Sequence, residues 1–126
     1  MLSIDHVDHF VLTVADIEAT VAFYRSVLGM TDVVFGAGRR ALAFGTQKIN
    51  LHAAGREHAP RASRPTPGSA DFCLITRTPL GEAMAHVRDC GVAIEEGPVT
   101  RTGAAGTITS FYFRDPDANL VEVSNY

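Results

Sequence analysis

The sequence predicts an α+β fold: two βαβββ modules forming curved mixed sheets around a pocket, with the helices on the outer face. Three observations predict it. A strand–helix–glycine plan occurs twice, with His9 matched by Asp71 and Gly29 by Gly91, a spacing of 62 residues. Each copy opens on an alternating apolar segment, His9-Phe10-Val11-Leu12-Thr13-Val14 and Asp71-Phe72-Cys73-Leu74-Ile75-Thr76. Each helix pattern then stops at a glycine, in Leu28-Gly29-Met30 and Cys90-Gly91-Val92.

In the first module, residues 7–14 read as a strand with Phe10, Leu12 and Val14 on the face toward a helix. His9, Val11 and Thr13 point the other way. Asp16 is placed to cap the helix, and Ile17, Val21, Tyr24 and Leu28 form its apolar face. Short strands are expected near 31–35 and 40–45, around Gly36-Ala37-Gly38, and a fourth at 47–52. On that fourth strand Ile49 and Leu51 face the helix, while Lys48, Asn50 and His52 share the opposite face.

Residues 53–70 carry three prolines and two glycines and read as a linker. Its Arg56, Arg61 and Arg64 are solvated or close over an anionic ligand. The domain organisation expected is one domain over 1–126, with modules at 5–52 and 71–126.

The second module repeats the plan. Phe72 and Leu74 face the helix; Asp71, Cys73 and Ile75 face away. Thr78 is expected to cap the helix with Pro79 as its first residue. Leu80, Met84 and Val87 make the buried stripe. A strand is expected at 92–96, a glycine-rich loop at 97–106, and strands at 108–114 and 120–125 around the Asp115-Pro116-Asp117-Ala118-Asn119 turn. Val121 and Val123 point inward; Leu120, Glu122 and Ser124 point to the other face.

A chain of 126 residues is long enough to bury a core without staples. The net charge of −3 and the absence of a basic stripe argue against nucleic acid as a partner. No apolar run approaches the roughly 20 residues of a bilayer span, and the first residues do not resemble a secretory signal, so a cytoplasmic protein off the membrane is expected. Cys73 and Cys90 have no CxxC spacing and read as buried free thiols. His6, His58 and His86 read as surface residues.

The helix-free faces collect His9, Asn50, His52, Asp71 and Glu122, an imidazole and carboxylate set suited to a divalent metal (Zn, Ni, Co, Mn or Fe(II)). An ion so held can leave positions open for adjacent oxygens of a substrate. The structural alternative is a strand histidine without a ligand role and a Glu122 paired with arginine or Lys48.

The segment Asp8-His9-Phe10-Val11-Leu12-Thr13-Val14, the helix with Phe23-Tyr24, and Val27-Leu28-Gly29-Met30 resemble the opening module of the vicinal oxygen chelate superfamily. That superfamily holds glyoxalase I, bleomycin- and fosfomycin-resistance proteins and extradiol dioxygenases. Phe113-Arg114-Asp115-Pro116-Asp117-Ala118-Asn119-Leu120-Val121-Glu122-Val123 resembles its closing module. The overall look is nearest to small glyoxalase-domain proteins of unassigned activity. The resemblance implies metal ligands on the first and last strands of each module. His9 matches the first such position and Glu122 the last. Asn50 stands where glyoxalase I has Glu or Gln, and Asp71 where most members have His. His52, on the same face as Asn50, is a further ligand candidate.

The resemblance thus implies metal ligands His9, Glu122, His52 and Asp71. It implies Glu122 as proton-transfer base and substrate contacts from Asn50, Lys48 and Tyr112. The implied activity is a glyoxalase/dioxygenase-type metalloenzyme acting on a small oxygenated metabolite. Lyase or isomerase chemistry is favoured, because no second strand histidine aligns at Asp71. The alternative is a drug- or metabolite-sequestering protein of the bleomycin-resistance type, which the departures at Asn50 and Asp71 favour. The family builds its pocket where modules meet, within a chain or between chains, and a homodimer is expected.

Overall fold

The computed structural model describes all residues, 1–126, and divides into two compact units, Met1–Pro67 and Gly68–Tyr126. Each is a four-stranded mixed sheet with one main helix, in the order βαβββ.

In unit one, β1 (His9–Val14) leads into α1 (Ile17–Leu28), then β2 (Thr31–Phe35), β3 (Arg39–Phe44) and β4 (Gln47–Ala53). The sheet order is β1-β4-β3-β2, with β1 parallel to β4 and the other pairs antiparallel. Asp16 caps α1 as expected: its Oδ1 accepts the Ala19 N–H at 3.1 Å, and Gly29 ends the helix at φ 65. The helix buries Thr20, Val21, Tyr24 and Val27, while Ile17 and Leu28 sit at the margin. Leu12, Val14, Leu42, Ile49 and Leu51 form the matching sheet face. Arg40 ties strand to strand and strand to helix: its Nη2 donates to Asp32 Oδ2 at 2.9 Å and its Nη1 to Glu18.

In unit two, β5 (Asp71–Ile75) leads into α2 (Leu80–Asp89), then β6 (Glu96–Gly103), β7 (Gly106–Arg114) and β8 (Leu120–Asn125). The sheet order, β5-β8-β7-β6, repeats that of unit one. Met84 and Val87 pack with Phe111, Phe113, Val121 and Val123 in its core. The turn before β8 is held by Asp115, whose carboxylate accepts the Asp117 and Asn119 N–H groups at 2.9 Å and Asn119 Nδ2 at 2.8 Å.

Three expectations are corrected. Thr78 does not cap α2: Pro79 occupies the cap position and no side chain bonds there. The Thr76 and Thr78 carbonyls instead accept Asn125 Nδ2 at 2.9 Å. The strand expected at 92–96 begins only at Glu96 and runs through the presumed glycine-rich loop to Gly103. Gly97-Pro98 makes a bulge in it rather than an end, and the β-branched Val99, Thr100 and Thr102 carry the pairing onward. A Cβ on Gly97 would lie 2.6 Å from the Phe111 Cβ, so this bulge requires glycine. Finally, Cys73 and Cys90 are free but exposed.

No helix is long and apolar enough to cross a membrane.

Candidate functional site

The two helix-free faces are built by register. In unit one His9 pairs with Lys48, Val11 with Asn50, and Thr13 with His52; Ala41 adjoins Asn50 and Phe35 adjoins Arg39. Lys48, Asn50 and His52 therefore lie on one face with His9, as their two-residue spacing predicts. His9 is half-exposed, and its Nδ1–H donates to Asp8 Oδ2 at 2.7 Å. That bond, ahead of other influences, holds the Asp8 carboxyl below its ordinary range. It also leaves His9 Nε2 free and oriented, the arrangement a metal-ligating histidine uses.

Farther along β4 the surroundings are cationic. Arg39 Nη2 donates to His52 Nε2 at 3.3 Å, which fixes that nitrogen as an acceptor on a neutral ring. Burial lowers the His52 pKa, and the neighbouring His58 and Arg39 charges lower it further. The His52 and His58 rings meet edge-on at 5.3 Å. Lys48 Nζ sits 3.8 Å above the Phe35 ring and the Arg39 guanidinium 5.1 Å from it. Asn50 Oδ1 and Arg39 Nε are buried without a hydrogen-bond partner.

In unit two Asp71 pairs with Leu120, Cys73 with Glu122, and Glu122 with Tyr112 across β8. A pocket of about 390 Å³ opens on this face, lined among others by Cys73, Ile75, Arg101, Ile108, Tyr112 and Glu122. Arg101 Nε–H donates to the Tyr112 hydroxyl at 3.0 Å, and its Nη2 pairs with Glu96 at 3.0 Å. Burial raises the Tyr112 pKa; the Glu122 carboxylate adds to this and Arg101 opposes it. The phenol therefore stays protonated at neutral pH. Ser124 Oγ donates to Glu122 Oε2 at 3.3 Å and lies 2.6 Å from Ser110 Oγ and 3.2 Å from Cys73 Sγ. Burial raises the Cys73 thiol pKa, as does the Glu122 charge, so Cys73 is a poor nucleophile.

Of the residues singled out in the sequence, His9, Lys48, Asn50 and His52 thus share the unit-one face, and Asp71, Tyr112 and Glu122 the unit-two face. Asp71 is exposed at the start of β5. His6, His58 and His86 are exposed, as are Arg56, Arg61 and Arg64. No group of three or more His, Cys, Asp or Glu side chains is arranged as a metal cluster. Taken separately, each unit carries a donor of a type divalent ions accept: in unit one an imidazole backed by a carboxylate at His9, in unit two a carboxylate held by a hydroxyl at Glu122. Sequence reasoning missed Arg39, Phe35, Arg101 and Ser124 as site residues. Phe35 and Arg39 flank the Gly36-Ala37-Gly38 turn, so hairpin register alone would have paired them. Arg101 was hidden because its strand read as a loop.

A family model for the glyoxalase/bleomycin resistance protein/dioxygenase superfamily matches residues 6–123. The chain belongs to this superfamily. It is 56% identical over 123 residues to virulence protein STM3117 of Salmonella typhimurium, covering 98% of this chain and 85% of that protein. It is 50% identical over 125 residues to glyoxalase domain-containing protein RDO1 of Mycosarcoma maydis, covering 99% of this chain and 70% of that one. The solved integron cassette protein VCH_CASS1 of V. Cholerae superposes with a TM-score of 0.99 at 63% identity, over 100% of this chain and 98% of that one. Two solved structures of lower identity share the fold alone. Lactoylglutathione lyase of Agrobacterium tumefaciens has a TM-score of 0.71 at 24% identity, over 95% and 92% of the two chains. The antibiotic-binding protein TnmS3 of Streptomyces sp. CB03234 has 0.78 at 22%, over 99% and 98%.

Proposed function

We propose that this glyoxalase-superfamily protein is a metal-dependent enzyme that rearranges or cleaves a small oxygenated metabolite by lyase or isomerase chemistry. The observation that carries the proposal is the Asp8–His9 pair, which leaves His9 Nε2 oriented and unengaged. His9 and Glu122 would hold the ion, with Asp71 as a further oxygen donor. His52 contributes less readily, since Arg39 already engages its Nε2. The bound ion would supply Lewis acidity to adjacent oxygens of the substrate.

The chain's own residues supply the proton chemistry. Glu122, with one oxygen accepting from Ser124, is the base for a proton beside the substrate carbonyl. Tyr112 keeps its proton and has its oxygen fixed by Arg101, so it would meet the substrate as a neutral phenol beside Glu122. Lys48 and Asn50 contact the substrate. Ile75 and Ile108 line the pocket with apolar surface that limits water. The proposal includes a cytoplasmic homodimer; two free thiols suit a reducing compartment.

Metal analysis of protein purified without a histidine tag tests this reading. Stoichiometric metal, lost in His9→Ala, supports it; protein that takes up no metal, or metal that His9→Ala leaves in place, contradicts it. A second reading, sequestration of a drug or metabolite without turnover, is favoured by the neutral Asn50 at the unit-one position that corresponds by register to Glu122. Tight ligand binding by metal-free protein would support that reading.

A further inference from the structure

Arg39 and Lys48 both lean on the Phe35 ring, and neither makes an ion pair. Two cations sharing one aromatic ring repel each other unless an anion joins them. Arg39 spends one N–H on His52, while its Nε–H is buried with no acceptor. A buried charged donor left unpaired is costly, and a ligand oxygen would remove that cost. Beside these cations, Asn50 is only 5% exposed, and its Oδ1 lacks a donor. Asn50 lies between Lys48 and His52 on the same face of β4. The face therefore asks for two things at adjacent points: an oxyanion at the cations and a hydrogen-bond donor at the amide oxygen.

We propose that this face is the seat of a small hydroxy acid, whose carboxylate is held by Arg39 and Lys48 over Phe35 and whose hydroxyl donates to Asn50 Oδ1. This deepens the reading given above, on which it rests, by naming the substrate class as a hydroxycarboxylate. Arg39 and Phe35 become substrate-positioning residues, with Arg39 offering the planar donor edge that carboxylates match. Phe35 supplies a flat apolar wall against which both cations rest.

The test uses metal-stripped protein, so its outcome is independent of ion binding. Lactate, acetate and inorganic phosphate are titrated separately while the side-chain Nε–Hε resonance of Arg39 is followed by NMR. Lactate is expected to shift that resonance saturably, and acetate to bind several-fold more weakly for want of a hydroxyl. Lys48→Gln is expected to weaken both carboxylates about tenfold, the effect of one charge-assisted contact. Asn50→Ala is expected to reduce lactate affinity to that of acetate while leaving acetate unchanged, which separates a ligand contact from a folding defect. No saturable shift with lactate overturns the proposal. So does phosphate binding as tightly as lactate, or lactate and acetate binding equally to the unaltered protein. Loss of metal binding in His9→Ala, by contrast, bears only on the metal reading.

Discussion

The two helix-free faces share a backbone register but little chemistry. Where unit one has His9, Val11, Asn50, His52 and Ala41, unit two has Asp71, Cys73, Glu122, Ser124 and Tyr112 at the corresponding points. The helix-facing positions keep one character, since Phe10, Leu12, Ile49 and Leu51 answer to Phe72, Leu74, Val121 and Val123. The repeat thus fixes where side chains stand, while the free faces differ in chemistry. Unit one gathers cations and an orphaned amide; unit two gathers a carboxylate, a phenol and a thiol around a pocket. On neither face are three such side chains gathered as a metal cluster.

The comparison can be broken most severely at Glu122. Glu122→Gln keeps the shape and removes the base we propose, and turnover is expected to fall about 10²–10⁴-fold in a steady-state assay. The corresponding change in unit one, Asn50→Ala, is expected to act on substrate affinity instead, so equal losses in kcat from both would erase the distinction. Next come the anchors of the two cores. Tyr24 and Phe111 are fully buried, and Phe111→Ala or Tyr24→Ala should each cost about 3–5 kcal/mol in denaturant unfolding.

Smaller effects sharpen the contrast between the helices. Asp16→Ala removes the cap of α1 and should cost about 1 kcal/mol. Thr78→Ala should cost only a few tenths of that, because no side chain caps α2. The smallest effect is a pH slope in metal-free protein. The His52 pKa is lowered on folding, so the native state resists protonation there. Its contribution is fully present above the ordinary histidine pKa, about 6.5, and falls away as pH drops toward the lowered value. Melting curves of His52→Asn should lose that part of the acid-side decline.

Much of the fold was legible because its signals are local. Period-two alternation marked β1, β4, β5 and β8, and Asp16 with Gly29 bracketed α1 within the sequence itself. The β6 strand was not legible, since a glycine-proline pair ends a strand as often as it bulges one; only pairing with β7 decides. The faces of the site residues followed from alternation, so Lys48, Asn50 and His52 fell together. Their partners did not, because Arg39 reaches His52 across a strand pair and Arg101 reaches Tyr112 from the bulged strand. Long side chains choose partners by tertiary register, which a single strand does not encode.

The central claim, that His9 and Glu122 are the ion's primary ligands, is tested most directly by following histidine ring nitrogens in metal-free, tag-free protein titrated with Zn²⁺. His9 Nε2 is expected to shift to saturation while its Nδ1–H to Asp8 persists, and Glu122→Gln is expected to weaken the response. Saturation at the His52 and His58 rings with His9 unmoved would contradict the claim.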